Sequence, residues 1–235
     1  MQQNVNVAGF ELFTENWLTY KKIIDENYMF HREMYQALQA FLGKQLSTAP
    51  ISVLDLGCGD ASKIPCAFSL CQLDYYCGID LSALALVSAH QTISEVTKQY
   101  DLVCVDMLDG LTQVDKQFDV VFSSYALHHL SASDKAKFFI HAYTALKPSG
   151  ILILIDTLKD ASEDLHTYYD NYLGFAKNNW QALSDVEIKR VSEHVRASDF
   201  PETFKYLENA AYFAGFVNNA TLAKHQWHQL CVFYK

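Results

Sequence analysis

Proline and glycine are scarce, at four and nine among 235 residues. That scarcity excludes a collagen-like chain and a linker-dominated design. Long hydrophobic runs are missing too: a stretch such as Ile151–Ile155 falls far short of the ~20 residues that cross a bilayer. The opening Met1-Gln2-Gln3-Asn4-Val5-Asn6 lacks the basic and apolar regions of a signal peptide, so a cytoplasmic protein without a membrane segment is expected. There is no cationic excess. Lys+Arg number 18 against 27 Asp+Glu, a net charge of -9, which argues against a protein that grips nucleic acid through its phosphates. None of the six cysteines forms a C-x-x-C pair, and no Cys/His grouping has zinc-finger spacing. His225 and His228, three apart near the C-terminus, would fall on opposite faces of a strand, so no metal site is expected. Cysteines such as Cys104 and Cys231 lie in apolar runs, where a free thiol acts as a small hydrophobe and a reducing compartment is implied.

What is present is a chain that is 50% hydrophobic, long enough for one substantial core. Residues 11–46 carry apolar residues at three-to-four spacing, including Leu12, Trp17, Ile23, Leu38 and Phe41, and predict helix. From residue 51 the pattern changes. Short apolar runs at Ile51–Leu56, Tyr75–Ile79, Leu102–Val105, Phe118–Ser123 and Gly150–Ile155 alternate with helical patterns near 60–70, 82–99 and 132–146. Nearly unbroken Val/Ile/Leu runs suggest strands buried on both faces, hence a doubly wound α/β unit with a parallel sheet. Residues 157–200 break the alternation with helical pattern. Pro201 is then expected in the first turn of a helix ended by Gly215. Two last runs, near Thr221–Ala223 and Trp227–Tyr234, are close enough to pair as an antiparallel hairpin. The expected organisation is one domain: a helical lid over 1–48, a core over 49–156, a helical insertion over 157–200, and a final helix and hairpin over 201–235.

The chemistry concentrates at the ends of the first three strands. Val53-Leu54-Asp55-Leu56-Gly57-Cys58-Gly59-Asp60 closes the first strand, and its glycines allow a tight turn and close approach of a ligand. Gly57-x-Gly59-x-x-Ser62 differs from a dinucleotide fingerprint in its third position. Asp55 would repel an anion and attract an ammonium or sulfonium group. The second strand ends at Asp80, where a carboxylate can accept from both hydroxyls of a ribose. The third ends at Asp106-Met107, an acceptor for an adenine amino group beside a side chain suited to pack on the ring. A helix cap or loop polar residue accounts for each acid alone; three in this order point into one crevice.

These motifs resemble those of class I S-adenosylmethionine-dependent methyltransferases of the small-molecule type, over about residues 50–156. The resemblance implies a seven-stranded, mostly parallel sheet with an antiparallel C-terminal strand, and S-adenosylmethionine as cofactor. It implies that Asp55, Gly57, Cys58 and Gly59 hold the methionine part, Asp80 and Leu81 the ribose, and Asp106 with Met107 the adenine. Phe118–Leu130 resembles the family's fourth-strand motif, where the Ser123 region would offer carbonyls to the ammonium, and Leu146-Lys147-Pro148-Ser149-Gly150 resembles the turn before the fifth strand. Ser123-Ser124-Tyr125-Ala126 stands where amino methyltransferases of nucleic-acid bases carry Asn/Asp-Pro-Pro-aromatic, which argues against base methylation.

Methyl transfer from a sulfonium is an in-line displacement that needs alignment and exclusion of water, and a base only when the nucleophile arrives protonated. His128 and His129 are the base candidates nearest the fourth strand, and His194 is a third. Packing or loop roles are the more ordinary reading of all three, and a helix cap accounts for Asp199. Tyr20, His31, Tyr168 and Tyr172 are candidates for a wall over a small-molecule substrate, with core packing as the alternative. A cofactor-binding regulator without turnover, a protein methyltransferase and a nicotinamide-dependent oxidoreductase remain alternatives, and nothing in the pattern sets an oligomeric state.

Overall fold

A computed structural model describes residues 18–46 and 49–235. Seven strands build one sheet: β1 (Pro50–Leu56), β2 (Gln72–Asp80), β3 (Tyr100–Cys104), β4 (Phe118–Ser124), β5 (Leu146–Thr157), β6 (Asn218–His225) and β7 (His228–Tyr234). Their spatial order is β3-β2-β1-β4-β5-β7-β6. Pairs from β3 through β5 are parallel, and β7 runs antiparallel to both β5 and β6. Side chains alternate faces along each strand. Val53, Phe122, Ile153 and Val232 therefore join one core layer, and Leu54, Val121, Leu152 and Phe233 the other.

Helices cover both layers, as unbroken apolar strands require. On the first lie α2 (His31–Gln45), α3 (Ile64–Ala67), α4 (Ala83–Ser94) and the insertion helix α7 (Leu165–Asn179). On the second lie α5 (Met107–Gln113), α6 (Ala132–Ala145) and α9 (Phe204–Ala214). The helix of residues 18–25, α1, precedes them, and α8 (Asp185–Ser198) completes the insertion. Among the described residues no helix is long and apolar enough to cross a membrane.

The structure corrects four expectations. The N-terminal helix is not continuous: Asn27 and Phe30 take positive φ of 59° and 57°, separating α1 from α2, while Leu12 and Trp17 lie outside the described residues. The pattern over 60–70 yields only the four-residue α3, with Pro65 in its first turn. Helix α5 was not expected; Asp106 starts it by accepting from the Leu108 amide at 2.8 Å. Pro201 lies before α9 rather than in it, because the Thr203 side chain caps the helix by accepting from Tyr206 N. Gly215 ends α9 with φ of 111°, as its position predicts.

Candidate active site

Strand order reverses between β1 and β4, and at such a switch point the loops beyond the strands' carboxyl ends diverge into a crevice. Register places Asp55 opposite both Gly78 and Phe122, with Asp80 opposite Cys104, so the three strand-end acids share one edge. Gly57 and Gly59 turn the chain with φ of 71° and 55°, values costly for other residues. A Cβ at Gly59 would meet nothing within 4 Å, which leaves its backbone open to a ligand. Asp80 organises this loop: Oδ2 accepts from Gly59 N and Oδ1 from Ser82 N, both at 2.8 Å. Each oxygen keeps lone-pair capacity for a ribose diol. Leu81 is exposed, and Asp106 with Met107 is half-buried at the next strand end. Asp106 Oδ1 is spent on the α5 cap, while no described residue hydrogen-bonds its Oδ2.

Asp55 lies inside, 3% exposed, and accepts from Tyr76 Oη at 2.8 Å. Burial pushes its carboxyl up to about 7 from an ordinary 3.8, against the Tyr76 hydrogen bond and with help from the Asp80 charge. The native chain therefore holds a proton between about pH 4 and 7 that the unfolded chain has released. This contribution to stability is complete below about pH 4 and is lost as pH rises through about 7. Asp55→Asn is expected to flatten the stability–pH curve across that window in denaturant titrations; an unchanged slope would refute the assignment. Cys58 is buried beside it, its thiol pushed up by burial and by Asp55 and Asp80, so it stays protonated and packs. Ser123 Oγ donates to the Leu56 carbonyl at 2.9 Å, tying β4 to the glycine turn rather than facing a ligand.

Two cavities meet here. One, of about 90 Å³, runs under the glycine loop past His31, Tyr35 and Asp55. The other, of about 380 Å³, shares Tyr20, Gly57, Gly59, Ser124 and Tyr125 with it and extends beneath the insertion. Tyr172, Trp180 and Met29 line its apolar side, and His128, His129, His194 and Asp199 its polar end. The lid and insertion meet over this space. Tyr28 stacks on Trp180 at 5.4 Å, Ala182 N donates to Tyr28 Oη at 2.8 Å, and Lys22 pairs with Glu187 at 2.7 Å.

The candidate wall residues separate on this geometry. Tyr20 lines both cavities, and burial, with Asp60 and Asp156 nearby, pushes its phenol up to about 12, so it is a neutral donor. Tyr172 lines the larger cavity. His31 lines the smaller one against Tyr125; burial, with Lys63 nearby, pulls it down to about 3, so it is neutral and a weak base. Tyr168 lines neither cavity: it is fully buried, in contact with Tyr169, Tyr172 and Trp227.

The polar end joins distant parts of the chain. His128 sits in a single 3-10 turn (Leu127–His129) after β4, and its Nδ1 hydrogen-bonds to Asp156 at the end of β5. The other Asp156 oxygen accepts from His128 N at 2.9 Å. Phe200 N donates to the His128 carbonyl at 2.7 Å, and Tyr169 Oη to the Asp199 carbonyl at 2.6 Å, bringing the end of α8 onto this turn. Asp199 caps no helix N-terminus; it follows α8 and points its Oδ1 at three imidazoles. Burial opposes a charge on His128 most strongly, yet Asp156 and Asp199 outweigh it and raise its pKa. Asp156 and Asp199 were missed as site residues; the signal for Asp156 was a carboxylate ending an apolar strand, as in Asp55 and Asp80.

The strand-end acids, open glycine loop and buried carboxyl suit an adenosyl group with a cationic amino-acid tail. A family profile described as "Methyltransferase domain" matches residues 53–150. An uncharacterized methyltransferase from Staphylococcus carnosus is 26% identical over 144 residues, covering 60% of this chain and 65% of that protein. A carboxy-S-adenosyl-L-methionine synthase from Wolinella succinogenes is 30% identical over 148 residues, covering 62% and 59%. The chain thus spans about three-fifths of the length of these curated relatives. Magnesium protoporphyrin IX methyltransferase from Synechocystis PCC 6803, solved with bound S-adenosylhomocysteine, superposes with a TM-score of 0.59 at 17% identity, covering 87% of this chain and 83% of that one. Residues 53–150 thus match a methyltransferase domain, and the sheet order with its glycine turn and strand-end acids resembles that of class I S-adenosylmethionine-dependent methyltransferases.

Proposed function

We propose that this protein transfers the methyl group of S-adenosylmethionine to an oxygen or nitrogen of a small molecule. The observation that carries the reading is the cavity of about 380 Å³ that shares Gly57 and Gly59 with the cofactor loop and ends at the histidine cluster. Its size lies in the range of small-molecule pockets. The bound cofactor supplies a sulfonium methyl with a good leaving group. Asp80 holds the ribose, Asp106 and Met107 the adenine, and Asp55 with the glycine loop the charged tail. Tyr20, Tyr172 and Trp180 exclude water and align the acceptor, which is the main catalytic requirement of an in-line displacement. His128, His129 and His194 mark the end of the cavity where an acceptor proton leaves.

Six free cysteines fit a reducing, cytoplasmic setting. The cavity's lid and insertion favour a small acceptor over a protein one. Incubating the full chain with methyl-labelled cofactor and a metabolite extract tests the reading. Label is expected in the low-mass fraction and not with Asp80→Ala. Label in protein instead would transfer the reading to a protein substrate. Absence of label everywhere, with S-adenosylhomocysteine still bound, would leave a non-catalytic binder. In a thermal-shift comparison, S-adenosylhomocysteine at 100 times its dissociation constant adds about 2.7 kcal/mol. Stabilisation by NAD(H) alone would favour the oxidoreductase instead.

A further inference from the structure

Asp199 is 7% exposed, and no donor among the described residues makes a well-formed hydrogen bond to its Oδ1. Three imidazole nitrogens surround it instead: His129 Nδ1 at 3.3 Å, His194 Nε2 at 3.7 Å and His128 Nε2 at 3.8 Å. Against its burial, the imidazoles hold the Asp199 carboxyl below its usual range, and the same converging nitrogen and oxygen atoms are of the kind that ligate a metal ion.

We infer that His128, His129, His194 and Asp199 form a binding site for a first-row divalent metal ion such as Zn²⁺, at the polar end of the acceptor cavity. Three features support it. First, ligand atoms of His128, His129 and Asp199 all lie within 4.8 Å of one another. Ligands at the ~2.0–2.1 Å typical of zinc sit about 3.3–3.4 Å apart around a tetrahedron. The imidazole nitrogens of His129, His194 and His128 stand 3.3, 3.7 and 3.8 Å from Asp199 Oδ1, so small side-chain shifts bring them to that spacing. Second, His128 has the outer partner of a metal-binding histidine. Asp156 engages its Nδ1, which fixes the ring and leaves Nε2 on the Asp199 side, where a metal would displace its proton. Third, three imidazoles and one carboxylate are a borderline donor set that suits zinc and its first-row neighbours rather than Mg²⁺ or Ca²⁺. The His129 Nδ1 atom also lies 3.0 Å from the Ser198 carbonyl, so ligation through it exchanges that hydrogen bond for a metal bond. His194 is mostly exposed and is the ligand free to swing in or out. When it swings out, the fourth position opens to the cavity, where an acceptor oxygen or nitrogen could coordinate.

This site was invisible to ligand spacing because its residues come from a turn after β4 and from the end of α8. Binding of the ion does not depend on the proposed methyl transfer; only its use for orienting the acceptor rests on that reading. The test therefore measures metal without turnover. The full chain, stripped with a chelator and titrated with Zn²⁺ and Co²⁺, is expected to bind one equivalent with at least micromolar affinity. The Co²⁺ form should show the intense visible bands of four-coordinate geometry. Asp199→Asn and His194→Ala should each weaken Co²⁺ binding by 10-fold or more while S-adenosylhomocysteine affinity stays within about threefold, which verifies folding. Asp156→Asn, which touches no ion directly, should weaken it about 10–100-fold. That last effect separates a built site from adventitious capture by the exposed His129 and His194. Absence of binding at 100 µM metal would overturn the inference. So would binding insensitive to His194→Ala and Asp156→Asn, and S-adenosylhomocysteine binding in that same preparation would show the cofactor reading to stand regardless.

Discussion

Replacing Asp80 by alanine is expected to raise the dissociation constant for S-adenosylhomocysteine by about 100-fold or more. Two losses add. The ribose loses hydrogen bonds to a charged acceptor, each contributing about 1.5–3 kcal/mol. The glycine loop loses the carboxylate that accepts from Gly59 N and Ser82 N at 2.8 Å, so the ligand must order the turn that Asp80 now holds. Asp80→Asn keeps one acceptor oxygen and should fall between the two. Calorimetric titration of the three proteins checks the series. A dissociation constant for the alanine variant within threefold of wild type would remove Asp80 from the ribose site.

Gly57→Ala is expected to cost about 2–5 kcal/mol of stability and to abolish cofactor binding. At φ of 71° an L side chain pays roughly 1–2 kcal/mol in backbone strain. The added Cβ would also stand 2.5 Å from Ala126 Cβ, far inside contact distance, and overpacking adds about 1–3 kcal/mol. Ala126 immediately precedes the turn that carries His128, so any relief moves the polar end of the cavity as well. Gly59→Ala supplies the contrast. Its φ of 55° imposes similar strain, but a Cβ there meets nothing within 4 Å. Thermal unfolding should therefore place Gly57→Ala below Gly59→Ala, with a Tm loss on the order of 10 °C for Gly57→Ala against wild type. Equal losses for both would show that strain alone matters and that the Ala126 contact yields.

The centre of the sheet was legible because β1, β4 and β5 are buried on both faces, whereas the edge strands β3 and β6 are not. Burial on both sides makes runs such as Val120–Phe122 and Ile151–Ile155 apolar throughout, a pattern that needs no partner to read. The cofactor edge was legible for a related reason: a turn with φ > 0 selects glycine, and strand-end acids stand out against apolar strands. The break between α1 and α2 was not. Neither Pro nor Gly marks it, and it is fixed by long-range contacts, among them Tyr125 Oη donating to the Met29 carbonyl and Tyr28 stacking on Trp180. Asp199 was hidden in the same way. Ahead of Pro201 it reads as a cap, and only the packing of α8 against the turn after β4 gives it three histidine neighbours. Tyr168 shows the converse, since helical spacing cannot tell a wall residue from its core-facing neighbour one turn away.

The roof of the larger cavity comes from two stretches that contribute no strand to the sheet, residues 18–46 and 165–199. Most of the cofactor edge, by contrast, is carried by strand ends and the turns directly after them. On the proposed function, most of the acceptor's roof and most of the donor's cradle are therefore encoded in different parts of the gene, joined at the turn after β4 that carries His128 and His129. Exchanging residues 165–199 between relatives is then expected to alter acceptor choice while S-adenosylhomocysteine binding is kept.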